Sequence, residues 1–133
     1  MIVLVIVAVV GAIALPRYSQ ASARQQLSSA ANRVTADIEL ARTRSRAASQ
    51  PVRLTFSTEN NTYSFDNIGG EAIRVDLSAS PYNVSIEVAK FGADSNVALF
   101  NGYGVPANSG VVTLSNHTGT VSVNMLGNGE VRR

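Results

Sequence analysis

The sequence predicts an α+β fold, with one long amino-terminal helix laid against a small antiparallel β body. Three observations carry this. Residues 17–50 contain neither Gly nor Pro and repeat apolar side chains at helical spacing. After Pro51 the apolar period falls from about 3.6 residues to about 2. Turn-forming clusters then punctuate the rest of the chain.

The helix opens with residues 1–15, MIVLVIVAVVGAIAL, which carry no polar side chain, and Pro16-Arg17 closes the run. At ~1.5 Å per residue this spans roughly 22 Å, short of a ~30 Å hydrocarbon layer. Three readings are open. A cleaved signal peptide fits the length and the Ala12-Ile13-Ala14 triplet, but a basic start is missing. A core helix of a small domain would be polar on one face. A membrane-spanning helix short of a few residues at its start fits best. Small residues let helices approach closely in an apolar medium. Ile2, Leu4, Ile6, Val9, Gly11, Ala14 and Pro16 are therefore the candidate helix-to-helix packing residues, with a solitary anchor as the alternative. Pro16 lacks an N–H and clashes with the preceding turn, which predicts a kink near Ala12.

Beyond Arg17 the pattern turns amphipathic. Leu27, Ala31, Val34, Ile38 and Ala41 recur at alternating steps of four and three, forming one apolar stripe. Leu27, Val34, Ile38 and Ala41 are the candidate helix-to-body contacts. Arg24, Arg33, Arg42 and Arg46 fall largely off the stripe. Arg33 with Asp37, and Glu39 with Arg42, add pairs worth a few tenths of a kcal/mol each. The helix ends near Gln50, because a residue before proline avoids the α region. The chain thus divides into an apolar helix (1–26), its amphipathic continuation on the body (27–50) and a β-rich body (51–133).

In that body, alternation marks strands at 52–56, 62–65, 73–77, 84–88, 97–100, 112–114 and 121–125. Asn60-Asn61, Gly69-Gly70, Ser80-Pro81, Gly92, Pro106, residues 116–119 and residues 127–129 separate them as turns. Seven or eight short strands make a small sheet structure with one wet face per sheet, and the helical stripe covers part of a dry one.

Composition restricts the chemistry. The 133 residues are 45% hydrophobic but only 15% charged, against roughly 25% charged for an average soluble protein. There is no Cys, and one histidine, His117, is too few for a histidine metal site. No Gly-x-Ser-x-Gly elbow occurs. Asp94-Ser95-Asn96 offers too few oxygens for Ca²⁺. Gly102-Tyr103-Gly104 and Gly127-Asn128-Gly129 read as turns, and His117 as an exposed turn residue. The composition points away from an enzyme, and no catalytic, cofactor or metal residue is assigned.

Charge is uneven. Residues 1–56 carry seven Arg against Asp37 and Glu39, a net +5, and residues 57–133 carry a net −3. A basic rod on a mildly acidic body can attract copies of itself, the alternative being that both charge sets are simply solvated. Arg24, Arg42 and Arg46 are the candidate inter-subunit charges, facing acids such as Glu71, Asp76 or Glu87 of a neighbour. Repetition in an array would make such weak exposed pairs count. The tail supplies a second functional candidate, nucleic acid binding through Arg132 and Arg133 with Lys90. Two or three cations bind phosphate weakly and in a salt-sensitive way unless an array repeats them.

The stretch MIVLVIVAVVGAIALPRY resembles the amino-terminal helix of type IV pilins and type II secretion pseudopilins. The continuation Leu40-Ala41-Arg42, Ala47 and Val52-Arg53-Leu54 is similar to the H-type minor pseudopilins and their pilus relatives, the GspH/FimT group. So is the carboxy end, where Gly110-Val111-Val112-Thr113-Leu114-Ser115 precedes Val121-Ser122-Val123 and Gly127-Asn128-Gly129-Glu130-Val131-Arg132. The resemblance implies the pilin fold and a subunit made at the inner membrane. It further implies that an ATPase-driven machine assembles that subunit, with copies or other pilins, into a periplasmic or extracellular helical filament. Some H-type pilus proteins are associated with DNA capture, which lends weight to the basic tail. The family's basic leader, peptidase site, methylated first residue and early glutamate match no position here. The register places about six mature residues before Met1, which would lengthen the apolar helix to about twenty-one.

Overall fold

The computed structural model describes residues 1–66, 70 and 72–133, the side chains of residues 14–16 excepted. The turn expected at Gly69-Gly70 therefore falls partly outside the described residues, as does Glu71. So do the side chains of Ala14 and Pro16 and the packing and kinking expected of them.

Helix α1 runs from Ile2 to Ala48, 47 residues, or about 70 Å at 1.5 Å per residue. It stops two residues before the expected end. Ser49 takes the left-handed conformation (φ 52, ψ 35). Its N–H reaches the Arg46 carbonyl at 3.3 Å, and the Gln50 N–H reaches that of Ser45 at 3.2 Å. This cap satisfies two of the last carbonyls and turns the chain into Pro51. The turn is tight because Gly102 lies against it: a Cβ there would sit 2.7 Å from the Ser49 carbonyl oxygen.

Eight strands among the described residues form two antiparallel sheets. They are β1 (Val52–Ser57), β2 (Thr62–Phe65), β3 (Ile73–Asp76), β4 (Ser85–Phe91), β5 (Val97–Phe100), β6 (Gly110–Asn116), β7 (Gly119–Met125) and β8 (Val131–Arg132). The first sheet has the order β3-β2-β1-β5 and the second β4-β6-β7-β8. In β1, Val52, Leu54 and Phe56 are buried while Arg53 and Thr55 are exposed, the alternation a one-sided sheet requires. Leu54 lies opposite Phe65 on β2 and Ala98 on β5. In β4 the register slips between Ile86 and Val88, so Glu87 is the extra residue of a bulge. The Phe56 and Phe91 rings stack across the sheets with centroids 5.5 Å apart, joining both to one core.

Helix α1 covers that core with an inner face of Ala23, Leu27, Ala30, Ala31, Val34, Asp37, Ile38, Ala41 and Ser45, all buried. Most are small, which lets the strands lie close to the helix backbone. The face contacts β1 and β5 of the first sheet and β6, β7 and β8 of the second.

Candidate assembly interface

One half of α1 is packed and the other bare. Ile2, Leu4, Ile6 and Val9 are 78%, 68%, 56% and 55% exposed, and a Cβ on Gly11 would meet nothing within 4 Å. Ten large apolar side chains between Met1 and Ile13 face outward. At about 1.5–3 kcal/mol for each buried side chain, covering them is worth on the order of 20 kcal/mol. That exceeds the net stability of a typical domain, so this rod belongs in lipid or against protein. Helix α1 as a whole is long and apolar enough to cross a membrane, and its most apolar window is not buried by the body. A core-helix role for residues 1–13 is thereby excluded.

The packed half carries a polar device that the apolar stripe does not announce. Asp37 is 5% exposed. Its Oδ2 accepts from Tyr63 Oη at 2.5 Å and from Arg33 Nε at 2.9 Å. Burial, followed by the Asp37 carboxylate, raises the Tyr63 hydroxyl well above the ordinary tyrosine range. The same carboxylate raises Arg33. Asp37, held by Arg33, therefore clamps α1 to β2 through Tyr63, and the Arg33–Asp37 pair does more than the surface pair its spacing suggested.

The helix arginines further along also act within the chain. Arg42 donates from Nη1 to the Gly129 carbonyl at 3.1 Å and from Nη2 to that of Asn128 at 3.3 Å. Arg46 Nε donates to the Tyr103 carbonyl at 3.0 Å. Gly104 packs so closely on Arg46 that a Cβ would lie 2.5 Å from its Nε. Arg44 lies over the Phe65 ring, 5.3 Å from its centroid. Arg42 and Arg46, expected as inter-subunit charges, thus have partners within their own chain. Their long side chains reach loop carbonyls that no sequence neighbour reveals.

The sequence model of the family described as type II transport protein GspH matches residues 30–129. The chain belongs to the GspH family. It is thus a structural subunit of the pseudopilin and pilin kind. Its fold also matches two crystal forms of the Pseudomonas aeruginosa (strain PAO1) type IV minor pilin FimU. The P21 form gives a TM-score of 0.62 at 14% identity, covering 82% of this chain and 88% of FimU. The P65 form gives 0.57 at 13% identity, covering 80% and 90%. At such identities the likeness is one of fold. No curated protein matches the chain in sequence.

In this GspH-family chain the basic tail does not gather into a phosphate site. Arg132 Nε pairs with Glu130 Oε1 at 2.9 Å. Arg133 donates to Asn32 Oδ1 and Ser28 Oγ, both at 2.8 Å, and so lies along α1. Lys90 sits 3.4 Å from Asp94. Each cation of the expected nucleic acid site has a local partner, and nothing supports DNA binding. Arg24 stays exposed on α1. His117 and Thr118, on the β6–β7 turn, share a cleft with Arg24 and Gln20.

Proposed function

We propose that this chain is a filament subunit that polymerises through the bare half of α1, its β body forming the outer wall. Before assembly the same segment holds it in the inner membrane. Afterwards copies or other pilins, brought together by the assembly machinery, replace lipid around it in a periplasmic or extracellular filament. One observation carries the reading: α1 is continuous, yet its first quarter is wholly apolar and exposed while its second half is locked into the body. Between helices in lipid, close packing supplies the association, and Gly11 keeps its surroundings open for a neighbouring backbone.

The test is assembly by Ile6→Glu and Gly11→Glu chains. A carboxylate in an apolar bundle costs several kcal/mol per copy, so neither variant should form filaments. Both bodies should still resist protease as the parent does, because residues 6 and 11 touch nothing in it. Filaments of normal number and length from either variant would overturn the proposal.

A further inference from the structure

We infer that the cleft between α1 and the β6–β7 turn is a binding site for the phosphate of an anionic phospholipid headgroup. It would be occupied while the subunit waits in the membrane. The inference rests on the membrane residence just proposed and adds a specific ligand to it.

Four observations converge. Arg24, Gln20, His117 and Thr118 line an open cleft of about 230 Å³. The turn that brings His117 there is built onto the helix: Asn116 Nδ2 donates to the Ala23 carbonyl at 2.7 Å. Asn116 Oδ1 in turn accepts from the Thr118 N–H at 2.9 Å and from its hydroxyl at 2.6 Å. Thr118 therefore spends its donor on the turn, leaving the Arg24 guanidinium, the Gln20 amide and the His117 ring N–H for an anion. A guanidinium suits phosphate through paired N–H groups.

Along the helix, the charge on the amino-terminal side of the cleft has one sign. The first acid of the sequence is Asp37, and it is buried against Arg33 and Tyr63. Arg17, seven residues before Arg24, falls on the same helix face, since seven residues make about two turns. Arg133 extends the stripe by seating on Ser28 and Asn32.

Depth agrees with charge. Along the axis Arg17 stands ~3 Å and Arg24 ~13 Å beyond the end of the apolar run. The headgroup layer is roughly 5–7 Å deep on each side of the hydrocarbon. Side chains of an α-helix lean toward its amino terminus, so Arg24 leans toward the bilayer and snorkels into that layer. The hydrogen bond from Asn116 to the Ala23 carbonyl holds the neighbouring His117 at the same level. The headgroup would so fix both the depth and the rotation of the subunit before assembly.

The test uses the full chain in nanodiscs of mixed phosphatidylglycerol and phosphatidylcholine, with retained lipids counted by native mass spectrometry. The parent should retain phosphatidylglycerol in excess of its share. A surface cation is worth about 1 kcal/mol toward anionic lipid, or about fivefold, so Arg24→Gln should lower the excess about fivefold. His117→Gln should lower it less, and Arg53→Gln, on the exposed face of β1, should leave it unchanged. Equal retention of both lipids by the parent would overturn the inference, as would an excess that survives Arg24→Gln or falls equally with Arg53→Gln. Displacement of the retained lipid by inorganic phosphate would assign the cleft to a free anion instead. A chain that does not enter the nanodisc refutes membrane residence itself. One that inserts without lipid preference refutes only the headgroup site.

Discussion

Replacing Tyr63 by Phe removes one oxygen and leaves the ring packed 5.3 Å from that of Phe56. The loss is thus confined to the hydrogen bond on Asp37. Hydrogen bonds to charged groups contribute about 1.5–3 kcal/mol. Arg33 still donates to the same carboxylate oxygen, which puts the expected loss near 2 kcal/mol. For a chain of this size that lowers Tm by about 6–10 °C. Arg33→Gln should cost less, under ~1 kcal/mol, because its side chain is 45% exposed and solvent screens the pair. Thermal unfolding of the full chain in detergent, followed by near-ultraviolet circular dichroism, measures both. A Tyr63→Phe chain as stable as the parent would refute the clamp. So would an Arg33→Gln chain less stable than Tyr63→Phe, since the buried partner would then not be the dominant one.

Other consequences follow from the same geometry. The folded state raises Tyr63 above its unfolded value near 10, so its contribution is complete below about pH 10 and declines at higher pH. The alkaline loss of stability should therefore shrink in Tyr63→Phe, as denaturant titrations between pH 8 and 11 would show. Gly110→Ala would place a Cβ 2.0 Å from Phe91 Cδ1 and 2.7 Å from the Lys90 carbonyl oxygen. It should destabilise by about 1–3 kcal/mol, read by denaturant midpoint. Arg42→Gln frees the carbonyls of Asn128 and Gly129 and should cost about 1 kcal/mol. Its clearest sign would be faster hydrogen exchange from Leu126 through Arg132.

Much of this architecture can be read from residue order. The change of period at Pro51 separates helix from strands because a helix and a sheet bury side chains at different intervals. The observed strands fall where alternation puts them, with the short β8 as an addition. Pairing is less accessible. Nothing local says that β5 returns to lie beside β1 while β4 pairs with β6, because the partners lie far apart in sequence. Polar contacts are hardest to foresee. Asp37 one turn after Arg33 looks like any solvated pair until Tyr63, twenty-six residues later, closes over it. Arg42 and Arg46 sit at positions that a helical wheel assigns to solvent. They find partners within the chain only because loops much later in the sequence offer carbonyls within their reach. The cleft at Arg24 is hidden in the same way, since His117 arrives from the opposite end of the sequence.

The central claim is that residues 2–13 find their partners in equivalent helices. A helical reconstruction of assembled filaments by electron cryomicroscopy tests it most directly. The account predicts those residues within an axial bundle, with Gly11 facing a neighbouring backbone and the β body outside. Density showing this segment folded back on its own sheets, or filaments whose axis lacks it, would contradict the account.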